Sequence, residues 1–169
     1  MKKLLFVFVL GFLPVILFSQ NKGFVYKPSP SEFTTAAELD AKRICVKLKD
    51  ARVLHPKTKV SCAAKELQGI IINGFNNAFS STIFGVDEAD VVLEITIKQY
   101  ETFARGVVWV GITEYEMKLQ DEGKVLEKTI KGTHSEGNVM GKSTGKKVLQ
   151  KSFDKANLES FNWLIEIAN

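Results

Sequence analysis

The sequence predicts an α+β domain: an antiparallel sheet of about four strands with two helices on one face, in the order β-α-β-β-β-α. Three observations lead there. Two stretches, residues 61–81 and residues 143 to the end, repeat their apolar residues at three-four spacing, whereas four others alternate residue by residue. The last three alternating stretches follow one another through short connections, which favours antiparallel neighbours. Finally, 169 residues at 45% hydrophobic and 25% charged are the composition of a single globular domain with enough chain to bury a core.

The chain begins Met1-Lys2-Lys3, and the fifteen residues from Leu4 to Phe18 carry no charge. A positive start before a short apolar run is the pattern of a secretory signal peptide, so residues 1–20 are expected to be removed after export. At about 1.5 Å per residue the run falls short of the ~20 residues that a membrane span needs. With cysteine absent near the cleavage region, lipid attachment there is not expected, and no transmembrane segment is expected after cleavage. The predicted location is periplasmic or secreted. The formal charge of +4 includes Lys2 and Lys3, and the small remainder gives no footprint for nucleic acid.

Residues 21–40 hold Pro28, Pro30 and several Ser and Thr, and read as an extended lead-in to a single domain over 41–169. Within the lead-in, Thr35 and Glu38 have capping-box spacing for a short helical turn. The first strand, 43–49, sets Ile44, Val46 and Leu48 against Arg43, Cys45, Lys47 and Lys49. After His55-Pro56 the first helix carries Leu67, Ile70, Ile71, Gly74, Phe75, Ala78 and Phe79 on one stripe. The second strand, 89–99, turns Val91, Leu93, Ile95 and Ile97 one way; the third, 106–120, does so with Thr113, Tyr115, Met117 and Leu119. Asp121-Glu122-Gly123 is a hairpin turn, with Gly where positive φ is wanted, leading into a fourth strand over 124–132. The closing helix has Leu149, Phe153, Ala156, Trp163, Leu164 and Ile167 on its core stripe, and Lys147, Lys151 and Lys155 on a solvated face.

Motifs for chemistry are weak. The segment 137–143 imitates a phosphate-binding loop, but its glycine interval is one residue short and Glu136 stands where Gly is required, so no nucleotide is expected. His55 and His134 stand alone, without metal-ligand spacing, and no nucleophile elbow is present; neither a metal nor any cofactor is expected. Glu114 and Glu116 share a strand face, yet alternating charges on a strand are ordinarily its wet side. Export makes a Cys45–Cys62 disulfide compatible with the sequence; a buried small residue at Cys45 and a helix-start residue at Cys62 are the alternative.

Some apolar residues are left over once the core is assigned. If helices cover the sheet face holding Leu93, Ile95, Tyr115 and Met117, then Val108, Val110 and Ile112 lie on the opposite face. Leu158, Phe161 and Ile165 likewise form a second stripe on the closing helix. Either set is a candidate contact for a protein partner or a second copy, unless the lead-in folds back over it through Phe24, Val25 and Phe33.

The order of elements resembles the YajG-type family of small bacterial envelope lipoproteins. The carrying residues are Asp50-Ala51-Arg52, the helix 67–79, the segment 89–95, Asp121-Glu122-Gly123-Lys124 and the segment 137–142. The resemblance covers most of 43–165 and implies an α+β envelope domain without catalytic residues. The lipobox cysteine of that family is missing here. Element order is also distantly similar in envelope lipoproteins that assist lipid transport. The expected function is therefore a non-enzymatic exported module that binds a partner, with a carrier of lipid or small amphiphile as the alternative and a small hydrolase as a third.

Overall fold

A computed structural model describes residues 24–25, 27–31, 42–53, 58–79, 82–83, 87–137 and 142–168. These form seven strands, β1 (Phe24–Val25), β2 (Ile44–Asp50), β3 (Thr58–Ser61), β4 (Thr82–Ile83), β5 (Val91–Arg105), β6 (Val108–Asp121) and β7 (Lys124–Gly137). Two helices accompany them, α1 (Ala64–Ala78) between β3 and β4, and α2 (Lys142–Ala168) after β7. The α+β class and the order β-α-β-β-β-α of the long elements are as expected. The signal-peptide run, the capping box at Thr35 and Glu38, and Phe33 lie outside the described residues.

The sheet is mixed rather than wholly antiparallel. Strands β5, β6 and β7 form an antiparallel meander, as expected from their short turns. The other side of β5 is shared: β2 lies parallel to its first half, Ile44 beside Val91 through Asp50 beside Ile97, and β3 lies antiparallel to Thr102 and Phe103. Strand β4 adds outside β2 and β1 outside β3, both in parallel. The reason is connectivity, since β2 reaches β5 only through a crossover containing α1, and such crossovers return the chain parallel.

The β6–β7 turn is the expected one. Glu122 (φ 48°) and Gly123 (φ 80°) are both left-handed, as a two-residue turn between twisted strands requires. Strand β5 outruns its sequence pattern because of a bulge between Ile97 and Gln99. Up to Ile97 the odd-numbered residues face the helices; beyond the bulge Tyr100 and Thr102 do so, leaving Glu101 and Phe103 on the outer face.

One core lies between the inner sheet face and both helices. It unites Ile44, Val46, Leu93, Ile95, Tyr115, Met117 and Ile130 with Leu67, Ile71 and Phe75 of α1 and Leu149, Phe153 and Leu164 of α2. Helix α2 lies directly against β6 and β7 at two glycines. A Cβ on Gly111 would stand 2.6 Å from the Val148 carbonyl oxygen, and one on Gly132 would collide with the Ser152 carbonyl oxygen and stand 2.6 Å from the Ala156 nitrogen. This close seating lets the buried Thr113 and Ser152 hydroxyls meet at 3.1 Å and the Tyr115 hydroxyl donate to Asn157 Oδ1 at 3.3 Å.

Where the lead-in is described, Phe24–Val25 extend the sheet beside β3 and residues 29–31 run along helix α2. Ser29 donates its N–H to Gln150 Oε1 at 2.8 Å, Ser31 Oγ donates to Asp154 Oδ1 at 2.9 Å, and Asn157 Nδ2 donates to Ser31 Oγ at 3.0 Å. Gln150, Asp154, Asn157, Phe161 and Ile165 form one helical stripe. Residues 29–31 cover its first half, and its second half meets the core. Two of the candidate contact residues are thereby corrected. Phe161 is 3% exposed, with its ring stacked 4.8 Å from that of Phe75 and 6.0 Å from that of Phe79, and Ile165 packs partly buried against the same cluster. A helix flanked by a sheet beneath and another helix beside it buries two stripes, and the sequence pattern of one helix does not show its flank.

No disulfide joins Cys45 and Cys62. Ile44 and Val46 point into the core that contains Cys62, so alternation sends Cys45 to the other side of the sheet. Burial, reinforced by Glu66, pushes the Cys62 thiol up to about 11, which keeps it protonated and unreactive.

Candidate functional surface

The outer face of the sheet divides into a polar and an apolar end. At the polar end β5, β6 and β7 present charged residues in cross-strand pairs: Lys98 with Glu116 at 3.1 Å, Lys118 with Glu127 at 3.4 Å and Lys131 with Glu114 at 2.6 Å. A shallow depression of about 390 Å³ lies here, lined among others by Glu94, Thr96, Glu116, Lys118, Glu127 and Thr129. Glu114 and Glu116 thus belong to ion pairs and not to a paired-carboxylate site.

At the apolar end Val108, Val110 and Ile112 stand on the outer face, where alternation places them, and are half-buried there. They lie beside Arg105, Phe103 and Glu101 of β5 respectively. Phe103 is half-buried and Glu101 only 1% exposed. Val107, at the tip of the β5–β6 turn, is 79% exposed. Bulge and alternation together therefore gather four apolar side chains, Phe103 among them, on the face opposite the two described helices. The sequence pattern missed Phe103, because the bulge reverses which residues of β5 face outward. Leu158, the third residue proposed from α2, is 58% exposed and stands apart from this patch, on the helix layer.

One charged cluster lies near the β7 end. His134 and Glu136 face the helix side, with Ser135 between them exposed on the outer face. Glu136 Oε1 accepts from Lys151, lies 3.0 Å from His134 Nε2 and 3.7 Å from Lys147. The bond from Lys151, then that from His134, holds the Glu136 carboxyl down to about 2. Arg43 does the same for Asp90 through a side-chain and a backbone bond, also to about 2. Burial opposes ionisation of Asp50, but the hydrogen bonds from Arg52 overcome it and hold that carboxyl below its ordinary value. All three folded values lie below the unfolded ones, ordinarily 3.8 for Asp and 4.5 for Glu. Their contribution is thus complete above about pH 5 and is lost as pH falls toward 2. The melting temperature should drop across that window and change little between pH 5 and 7, and Glu136→Gln should make the drop shallower. A melting temperature constant from pH 5 to 2 would contradict this assignment. Among the described residues there is no group of three or more His, Cys, Asp or Glu placed to hold a metal ion.

The sequence matches no family model and no curated protein. Solved structures match through their fold. Protein XCC0632 from Xanthomonas campestris, described by the family model DUF330, has a TM-score of 0.57 at 12% identity, covering 85% of this chain and 95% of its own. An uncharacterised protein has a TM-score of 0.49 at 15% identity, over 82% of this chain and 99% of its own. A PelC dodecamer subunit from Paraburkholderia phytofirmans has a TM-score of 0.38 at 14% identity, over 76% and 94%. At such identities the likeness is one of fold, and the first of the three carries it: the chain has the same α+β architecture as the DUF330 protein.

Proposed function

We propose that the protein is a non-enzymatic, exported envelope protein that binds a protein partner through the outer face of its sheet. The observation that carries this reading is the row Val108, Val110 and Ile112, joined by Phe103, half-buried on the face opposite both described helices. A solvated strand face holds polar side chains, as the other end of this same face does. Export is supported by the Lys2-Lys3 start and the uncharged run to Phe18. The fold shared with the DUF330 protein is compatible with the small-envelope-protein resemblance noted above, and the YajG-type assignment is retained at the level of that resemblance. The carrier alternative is less favoured, because the depression described on the outer face is lined by Glu, Lys and Thr and suits water better than an acyl chain.

Burial of this row in a complex contributes about 25 cal/mol per Å² of apolar area, less the cost of association. Replacing Val110 and Ile112 together by Thr should abolish capture of a partner from envelope extract while the melting temperature stays within a few degrees of the parent. A large loss of folding stability with capture unchanged would show that the row is core. Lipid recovered by solvent extraction of the purified protein, in one-to-one amount, would favour the carrier instead.

A further inference from the structure

Among the described residues the sheet ends in β7, whose outer edge is long and regular. Strand β7 pairs only with β6 among the described residues, spans 14 residues without proline, and keeps continuous register with its neighbour. Natural edges are ordinarily blunted by bulges, prolines, shortness or charge; this one is long and has neither bulge nor proline, and its protection is charge alone, through Lys128 and Lys131. The two-residue turn makes Asp121 and Lys124 the closing hydrogen-bonded pair, so the backbone groups of Val125, Glu127, Thr129, Lys131 and Thr133 point away from β6. A side chain reports the same direction: Lys155 of α2 donates to the Thr133 carbonyl oxygen at 3.1 Å.

We propose that two copies of the chain pair β7 against β7 across a two-fold axis at Thr129, antiparallel, joining their sheets into one. The charges select the occupant and the register. With the axis at Thr129, Glu127 of each copy lies opposite Lys131 of the other, and the pairs already present, Lys118–Glu127 and Lys131–Glu114, join into one ladder of alternating sign across the interface. An axis at Glu127, Lys128 or Lys131 sets like charges face to face, and one at Ile130 puts Glu127 across from Thr133 and Lys131 across from Thr129. Apolar surface lies beside the same edge. Val125 and Leu126 are 52% and 42% exposed, and Leu158, one helical turn beyond Lys155, is 58% exposed. The interface is separate from the Val108–Ile112 row, so it stands or falls independently of the partner-binding reading.

Sedimentation of the purified protein at about 1 to 100 µM should show a monomer–dimer equilibrium. Thr129→Pro removes an outward N–H and leaves the β6 ladder intact, so it should give monomer at every concentration with the fold retained by circular dichroism. Glu127→Lys and Lys131→Glu should each weaken the dimer at least tenfold, and an equimolar mixture of the two should restore it, because their charges then oppose correctly. Thr129→Cys should cross-link to dimer under oxidation, since opposed Cα atoms in such a pair lie about 5.5 Å apart. Val125→Cys should not, its two copies being separated by roughly 27 Å along the strands. A monomer throughout the range, or a dimer indifferent to Thr129→Pro and to both charge reversals, would overturn the proposal. The Val110→Thr/Ile112→Thr variant should dimerise like the parent.

Discussion

Gly132→Ala is expected to lower the melting temperature by roughly 6 to 12 °C, a loss of about 3 kcal/mol or more. The added methyl group would meet backbone on the helix, the Ser152 carbonyl oxygen and the Ala156 nitrogen, and backbone cannot rotate away as a side-chain end does. Relief requires α2 to lift from β7, which would also part the Thr113–Ser152 and Tyr115–Asn157 contacts beneath it. A matched substitution gives the opposite sign. Gly69 lies within α1 with nothing near its missing Cβ, so Gly69→Ala should stabilise by about 0.5 to 1 kcal/mol through helix propensity alone. Thermal melts of the two variants and the parent decide the matter. Near-equal melting temperatures for Gly132→Ala and the parent would mean that the helix does not sit on that glycine.

Phe161→Ala is expected to cost about 3 to 5 kcal/mol, as truncation of a fully packed aromatic does. Its ring joins those of Phe75 and Phe79 in a stack that ties α2 to α1, and the substitution would leave a cavity between the two helices. Leu158→Ala, three residues earlier and 58% exposed, should change stability by less than about 0.5 kcal/mol. Denaturant unfolding separates these outcomes. A small effect at Phe161, or one at Leu158 of the same size, would restore the reading of the two residues as one exposed stripe.

Much of the candidate surface is legible in the sequence. Placing Val108, Val110 and Ile112 opposite Tyr115 and Met117 needs only alternation along one unbroken strand, and β6 is unbroken. Phe103 was not legible, because its facing depends on a one-residue bulge at Lys98 that alternation within β5 does not announce. The outer edge of β7 was hidden for a related reason: which strand ends a sheet is a property of how all the strands pair.

The short strands β1, β3 and β4, and the continuations of β5 to Arg105 and β7 to Gly137, were not determined by the sequence alone. By itself it determined the long local elements of this protein: the two helices, strands β2 and β6, the first parts of β5 and β7, the Glu122-Gly123 turn, and the α+β class that follows. These depend on hydrophobic period and on backbone preference, both of which act over a few residues. Only the tertiary structure decided that β2 lies parallel to β5, that Cys45 and Cys62 stand on opposite sides of the sheet, and that Phe161 is core with Ile165 packed against it while Leu158 is surface. Each of those outcomes depends on what a distant segment brings alongside. Helix α1 arrives beside α2 by a crossover, and residues 29–31 reach α2 from more than a hundred positions away. A periodic pattern records that a face is apolar; contact between elements decides which apolar face is covered.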